Sequence, residues 1–484
     1  MCGQYYFGKN KIPYKNLKWL IRKTEHFDIY YYEKSDSLAS IAADIAEKSF
    51  YELERDMMYS PVEKIPIIVY SSHNVFQETN TIPYILPEGV GGFTEYYKGR
   101  IVLPFNGSYA DFKHTLKHEM VHAFQMKKIT EDFDVHGLFF VYVFPLWFTE
   151  GIAEFYSEGG SKEMENILRA AILEDTFFPI SNIYPILGSY AMYKEAESFL
   201  LFIEEEFGRG TIALISDNWW QKVPLDEIFH QVTGKTIIEL DKMWKKKLVK
   251  KYYPEIADVE ISEFTNDIIT QGDGIFLNPT IVKKDSTYEI IALGNTLGYS
   301  GIYRIKQMRD RADAEILMKS TFSEEAIALH TFNNSIDSHG DSIVISIRKS
   351  FGDALSFFDI NSKKIIFQKI FDNIPTIVSP AFNPDGNKIV FTGVSFDGFS
   401  NLYIYDMEAD SLIKITSDYY NNLDPVFLDD STVVFISDRC PKGDKGFTAM
   451  YKINIHDKSI FSFDFPEGSV KNPKISPDGK SISF

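Results

Sequence analysis

The sequence predicts two parts, a mixed α+β part over 1–260 and an all-β repeat over 261–484. Three observations carry this. Before about residue 253, apolar residues recur at helical spacing, interleaved near the start with short strand-like runs. After about residue 261 that periodicity disappears. In its place a unit in the mid-forties returns, and each copy brings short strands and turn residues.

The bulk numbers agree. A length of 484 residues is too much for one ordinary core. With 44% hydrophobic and 24% charged residues the composition is that of a folded, soluble chain. A formal net charge of -18 opposes nucleic-acid binding, which needs a basic face to replace phosphate counterions. The two cysteines, Cys2 and Cys440, lie far apart, so neither a disulfide framework nor a cysteine-based zinc module is expected. No transmembrane segment is expected, because the longest apolar run, GLFFVYVFPLWF, is short and interrupted by Pro145. No signal peptide is visible. Cys2 reads either as an ordinary thiol near a terminus or as the lipid-bearing residue of a lipoprotein whose signal is missing.

In chain order, HFDIYYY reads as a strand, SLASIAADIAEKSFYELERDM as a helix and IPIIVYSS as a buried strand, a β-α-β beginning. GGFTEYYKGRIVLPF follows, a glycine pair and an alternating strand that could lie at a sheet edge and take an extended peptide. From about Asp111 to Tyr253 the pattern is helical: the segment around HEMVH, then FTEGIAEFYSEG, ENILRAAILED, YKEAESFLLFIEEEFG and ELDKMWKKKLVKKYY.

In the second part SPAFNPDGNKIVFTG (379–393) returns as DPVFLDDSTVVFISD (424–438) and begins again as NPKISPDGKSISF (472–484). Pro380, Pro425 and Pro473 are 45 and 48 residues apart. Fainter copies lie at 278–294 and 339–347. This period, with four strands per unit, is the signature of a β-propeller, and PDG supplies the tight turn. The repeats resemble those of TolB-like proteins over roughly the last 220 residues. About four copies are countable, whereas such rings have roughly six or more blades, so the resemblance implies a ring incomplete at the C-terminus.

The chemistry points to HEMVH (118–122). On a helix His118 and His122 project from one face, a spacing that lets two imidazoles hold one metal ion. Glu119 lies on the neighbouring flank, placed to take a proton from a water. The alternative is two half-buried histidines capped by hydrogen bonds. A third ligand is available in PLWFTEGIAEFY, where Glu150 stands 28 positions after His122 and opens an apolar-periodic segment. Glu154, one turn on, could accept the other ring N–H of a ligand histidine and fix its tautomer. The alternative is two surface glutamates near a helix start, where acids are favoured.

HEMVH followed by WFTEGIAEFY resembles the glutamate-type zinc peptidases, the gluzincins. The resemblance implies His118, His122 and Glu150 as ligands of one Zn2+ per chain, Glu119 as general base, and Glu154 as the acid beyond the third ligand. YKEAESFLLFIEEEFG (193–208) is similar to the tyrosine helix of the aminopeptidase N branch, which implies Tyr193 as an oxyanion donor. Tyr190 is its rival on a similar face, and a tyrosine merely packing at a helix start is the third possibility. The likeness does not extend to that branch's amine-gripping G-x-M-E-N element. The arrangement as a whole most resembles the bacterial peptidase MA-like proteins fused to a propeller, which usually carry an export signal. This implies an exported protein, periplasmic or lipid-anchored through Cys2, although the sequence itself leaves the cytoplasm open. The function expected is hydrolysis of peptide bonds in a peptide or protein substrate, with the propeller docking substrate or a protein partner. The competing class is a catalytically inactive scaffold whose propeller mediates protein–protein interaction. A zinc hydrolase acting on a non-peptide amide is a further rival.

Overall fold

The computed structural model describes residues 17–484 apart from 83–85, 87–89, 97, 106, 138–143, 257–273, 285–286, 297–298, 306–313, 321–327, 330–334, 350–351, 440–447, 464–469 and 477–478. Cys2, Cys440 and the expected division at 260/261 lie outside the described residues.

Strands β1 (Trp19–Lys23) and β2 (Phe27–Tyr32) lead into helix α1 (Asp36–Asp56) and strand β3 (Ile65–Tyr70). The short helix α2 (His73–Phe76) precedes β4 (Phe93–Glu95), β5 (Arg100–Pro104) and the long helix α3 (Tyr109–Val135). The sheet order is β1-β2-β3-β5-β4, with β2, β3 and β5 parallel and the two outer strands antiparallel. Alternation sets the strands: in both β2 and β3 the first and third residues are buried and the second and fourth are half-buried. Helix α1 covers the sheet with Leu38, Ala42, Ala46, Phe50 and Leu53, spaced for one helical face. The GGFTEYYKGRIVLPF stretch forms two paired strands, β4 and β5, with β4 at the sheet edge.

The helical half follows as α4 (Leu146–Ser157), α5 (Lys162–Leu173), α6 (Tyr190–Phe207), α7 (Thr211–Asp217), α8 (Leu225–Thr233) and α9 (Ile237–Tyr252). One apolar core joins the sheet to these helices through Phe124 of α3, Phe148 of α4, Phe199 of α6, Phe229 of α8 and Trp244 of α9. The Trp244 indole N–H donates to Ser198 Oγ at 3.1 Å, which satisfies its one polar atom inside that core. Helix α6 begins at Tyr190, not at Tyr193. The Ser189 hydroxyl accepts the Met192 backbone N–H and caps the helix a turn earlier than the tyrosine motif suggests. Glu150 is likewise the fifth residue of α4, because the helix starts directly after Pro145.

From Ile275 onward the described chain is entirely β. Consecutive antiparallel sheets span 275–319, 328–370, 376–414 and 422–462, and a two-stranded piece spans 474–483. The repeat seen in the sequence has a structural cause. Asn278, Ser379, Asp424 and Asn472 each precede a proline, and each has a left-handed φ near 50° (50, 51, 48 and 49). In the first three, the ladder shifts register across that dipeptide: between Leu277 and Thr280, Val378 and Ala381, and Leu423 and Val426. A bulge leaves a residue outside the ladder, so proline's missing N–H costs no hydrogen bond there, and the strand bends. Side chains link the copies: Ser379 Oγ donates to Asp424 Oδ1 at 2.7 Å, and Asn472 N donates to Asp424 Oδ2 at 3.2 Å. In the PDG turn, Gly386 takes φ 73°, which a side chain would resist.

The two parts touch through the turn after strand Lys388–Val394. Ser35 Oγ donates to the Phe396 carbonyl at 2.9 Å, Tyr109 OH to the Gly398 carbonyl at 3.3 Å, and Ser400 Oγ to the Gly107 carbonyl at 3.0 Å. The first contact lies just before α1 and the other two lie around the start of α3.

Candidate metal centre

Helix α3 is set by its cap and by its apolar face. Ser108 Oγ accepts the Asp111 N–H, and Phe112, Leu116, Met120, Val121, Ala123 and Phe124 are buried. This rotation leaves His118 and His122 half-buried along the opposite flank, turned toward α4. Helix α4 approaches α6 closely. A Cβ on Gly151 would lie 2.8 Å from Ala196 Cβ, so only glycine admits this contact. Glu150 therefore stands beside the helix that carries Tyr193 and Lys194.

Three donor atoms converge. His118 Nε2 and His122 Nε2 are 3.2 Å apart, and Glu150 Oε2 is 3.4 Å from the first and 3.2 Å from the second. In a tetrahedral zinc site with bonds of about 2.0–2.1 Å, the ligand–ligand edge is about 3.3 Å. The triangle therefore has the size such a site needs. The far nitrogens are engaged as well. His122 Nδ1 is 3.0 Å from Gln125 Oε1, and the Gln125 amide N–H donates to the Thr149 carbonyl at 3.4 Å. His118 Nδ1 is 3.2 Å from Glu154 Oε1. With Nδ1 of each ring facing an oxygen acceptor, both Nε2 lone pairs point into the triangle, as a neutral histidine ligand requires. His118, His122 and Glu150 thus form a group that could hold a metal ion.

The electrostatics are those of a charged centre. In the metal-free chain burial alone would push the His118 imidazole down, but the Glu150 and Glu154 carboxylates outweigh it and raise it to about 10, so a metal ion would bind by displacing that proton. Burial would push Glu150 up; hydrogen bonds to the two imidazoles hold it at about 2. Glu154 is held at about 2 against its burial by His118 and then by Lys194.

Glu119 is buried, and Thr94 Oγ1 of β4 lies 2.8 Å from its Oε2 and 2.7 Å from its carbonyl. The edge strand thus fixes this carboxylate beside the histidines. Tyr193 is half-buried. Its phenol is pushed up by burial and by the carboxylates of Glu150, Glu154 and Glu119. Tyr190 is exposed and its hydroxyl donates to Glu163 Oε2, so the rival tyrosine is engaged elsewhere.

His114 lies one turn before His118 and shares Glu154 with it: its Nε2 is 3.6 Å from Glu154 Oε2, and its Nδ1 is 3.1 Å from Glu158 Oε2. His114, His118 and Glu154 form a second group of metal-ligand type. An ammonium already sits there, Lys194 Nζ, 2.6 Å from Glu154 Oε2, so that group has its cation built in. Thr94, Gln125 and Lys194 were not singled out from the sequence. His114 alone left a signal, the four-residue spacing to His118.

Comparison with known proteins bears on the second part. The family model described as the TolB beta propeller domain, PD40, matches residues 351–484, a shorter span than the 261–484 read from the repeats. Residues 351–484 are a TolB-like propeller segment. The crystal structure of TolB from Acinetobacter baumannii is 16% identical, with a TM-score of 0.32, over 43% of this chain and 48% of that one. A puromycin-hydrolyzing peptidase from Mycobacterium tuberculosis is 13% identical, with a TM-score of 0.27, over 40% of this chain and 30% of that one. The tricorn protease is 13% identical, with a TM-score of 0.27, over 45% and 20%. This chain thus spans about half the length of that TolB and less of the two peptidases. No curated protein matches. Among the described residues, no helix is long and apolar enough to cross a membrane.

Proposed function

We propose that the first part of the chain, over about 1–260, is a zinc-dependent metallopeptidase domain of the gluzincin type. The observation that carries this is the triangle of His118 Nε2, His122 Nε2 and Glu150 Oε2, with edges of 3.2–3.4 Å and the far nitrogens tied to acceptors. A bound zinc supplies Lewis acidity, lowering the pKa of a water and polarising a carbonyl. The chain's residues do the rest. Glu119, oriented by Thr94, takes the proton of the attacking water and delivers it to the leaving amine nitrogen. Tyr193, held protonated by the surrounding carboxylates, donates to the developing oxyanion. Strand β4, at the edge of the sheet and bonded to Glu119 through Thr94, takes an extended peptide as an added strand. The TolB-like propeller docks substrate or a protein partner.

The test is Glu119→Gln, purified beside wild type. Zinc content should match wild type while cleavage of a peptide library falls by about 10²–10⁴-fold, the usual share of general-base catalysis. Equal cleavage by both proteins would remove Glu119 from the mechanism and with it this reading.

A further inference from the structure

Beneath the histidine pair lies a buried row of charges that the proposed mechanism does not use. Lys194, Glu154 and Glu197 are 0%, 5% and 0% exposed. Lys194 Nζ sits 2.6 Å from Glu154 Oε2, 3.0 Å from Glu197 Oε2 and 3.4 Å from Ser161 Oγ. Glu197 Oε1 in turn accepts the backbone N–H groups of Gly160 and Ser161, both at 3.0 Å. The row therefore runs from the histidine, through two carboxylates and one ammonium, to the rigid cap of α5, where Ser161 Oγ accepts the Met164 N–H at 3.0 Å.

A lysine this deep must be explained. Removing an ammonium from water costs several kcal/mol even after relaxation. Burying one ion pair is often no better than burying apolar groups of the same volume, so the row is a poor device for stability alone. Its geometry suits another task. The two oxygens of Glu154 are divided, Oε2 on Lys194 and Oε1 on His118 Nδ1. With one oxygen pinned at 2.6 Å by a cation that is itself anchored on Glu197, the carboxylate cannot rotate, and the other oxygen stays aimed at the imidazole.

We propose that Lys194 is a positioning residue for the metal centre: it locks Glu154, which locks His118 with its Nε2 lone pair on the ligand triangle. One helix, α6, thus serves the site twice, with Tyr193 toward the reacting group and Lys194 beneath the ligand. The inference rests on the zinc reading above, and its test separates the two.

Lys194→Met alone leaves Glu154 and Glu197 as buried like charges and could fail to fold. The main variant is therefore the charge-balanced pair Lys194→Met with Glu197→Gln. Metal-free melting temperatures verify folding. Zinc affinity is then measured by competition with a chelator, and the His118 Nδ1–H resonance is followed in ¹⁵N-histidine-labelled, zinc-loaded protein. A folded pair variant that binds zinc about 10–100-fold more weakly, with the Nδ1–H signal lost to exchange, is the result expected when an outer partner of a ligand histidine is released. In a Glu154→Gln background the same pair should cost almost nothing further, because Lys194 acts through Glu154. That cycle also covers a pair variant that folds poorly, since its comparison is made within one background. Zinc affinity within about twofold of wild type, with the Nδ1–H signal intact, would overturn the positioning role while leaving the zinc site standing. A wild type that takes up no zinc would overturn the zinc reading and this inference with it.

Discussion

At the scale of single residues, the site depends on pairs of local and distant contacts. His118, Glu119 and His122 are placed by one helix, and their relation is visible in the sequence because helical spacing is local. Glu150 and Glu154 are legible too, through the second motif and its own one-turn spacing. Thr94, Gln125 and Lys194 are not. Each meets its partner through tertiary packing or through an ordinary polar residue type that occurs everywhere in the chain. Periodicity does not choose between Tyr190 and Tyr193, because both stand near the same helix start; the Tyr190 hydroxyl is bonded to Glu163, so the proposed oxyanion role goes to Tyr193. Tyr193→Phe should therefore lower kcat by about 10²–10³-fold, the range for losing one oxyanion donor, with zinc content unchanged. Tyr190→Phe should leave kcat near wild type. Steady-state kinetics on one cleaved peptide checks both.

At the scale of elements, the crossing of α4 and α6 decides whether Glu150 reaches the histidine pair. Gly151 allows this crossing. A larger residue there meets Ala196 Cβ at 2.8 Å and Leu200 at 3.3 Å. Gly151→Val should cost about 1–3 kcal/mol by overpacking, read as a lower urea midpoint with an unchanged slope. It should also weaken zinc binding, because Glu150 is the next residue. The β-α-β beginning and the long helices were legible because their apolar periods run over many residues. Helices α2, α7 and α8 have four, seven and nine residues, too few to show a period over the window such a reading needs. The blades were legible through their prolines and PDG turns, since those residues mark backbone conformations that recur in each copy.

At the scale of the whole molecule, stability carries a pH signature from one buried acid. Glu195 on α6 is 1% exposed, its Oε1 accepts only a long 3.4 Å bond from the Phe178 N–H, and burial pushes its carboxyl up to about 8. The unfolded chain ionises this group near its ordinary value of 4.5. Between those two values the folded state holds the extra proton, so its contribution to stability is complete below about pH 4.5, falls as pH rises toward about 8, and is flat above. Glu195→Gln removes the titration. The variant should gain on wild type steadily from pH 5 to pH 8, by up to about 1.4 kcal/mol per pH unit, in urea unfolding series at each pH. Equal pH profiles would show the acid to be solvated or paired in solution.

The two parts of the molecule meet where the turn at 395–399 touches the starts of α1 and α3, so the propeller bears on the helix that carries the histidines. The proposed chemistry nevertheless depends on the histidine–glutamate triangle. The decisive experiment is zinc per chain by elemental analysis, on wild type and Glu150→Ala prepared side by side. A three-ligand site gives close to one zinc in wild type and much less in the variant. A well-folded wild type that holds no zinc after incubation with the metal would contradict it.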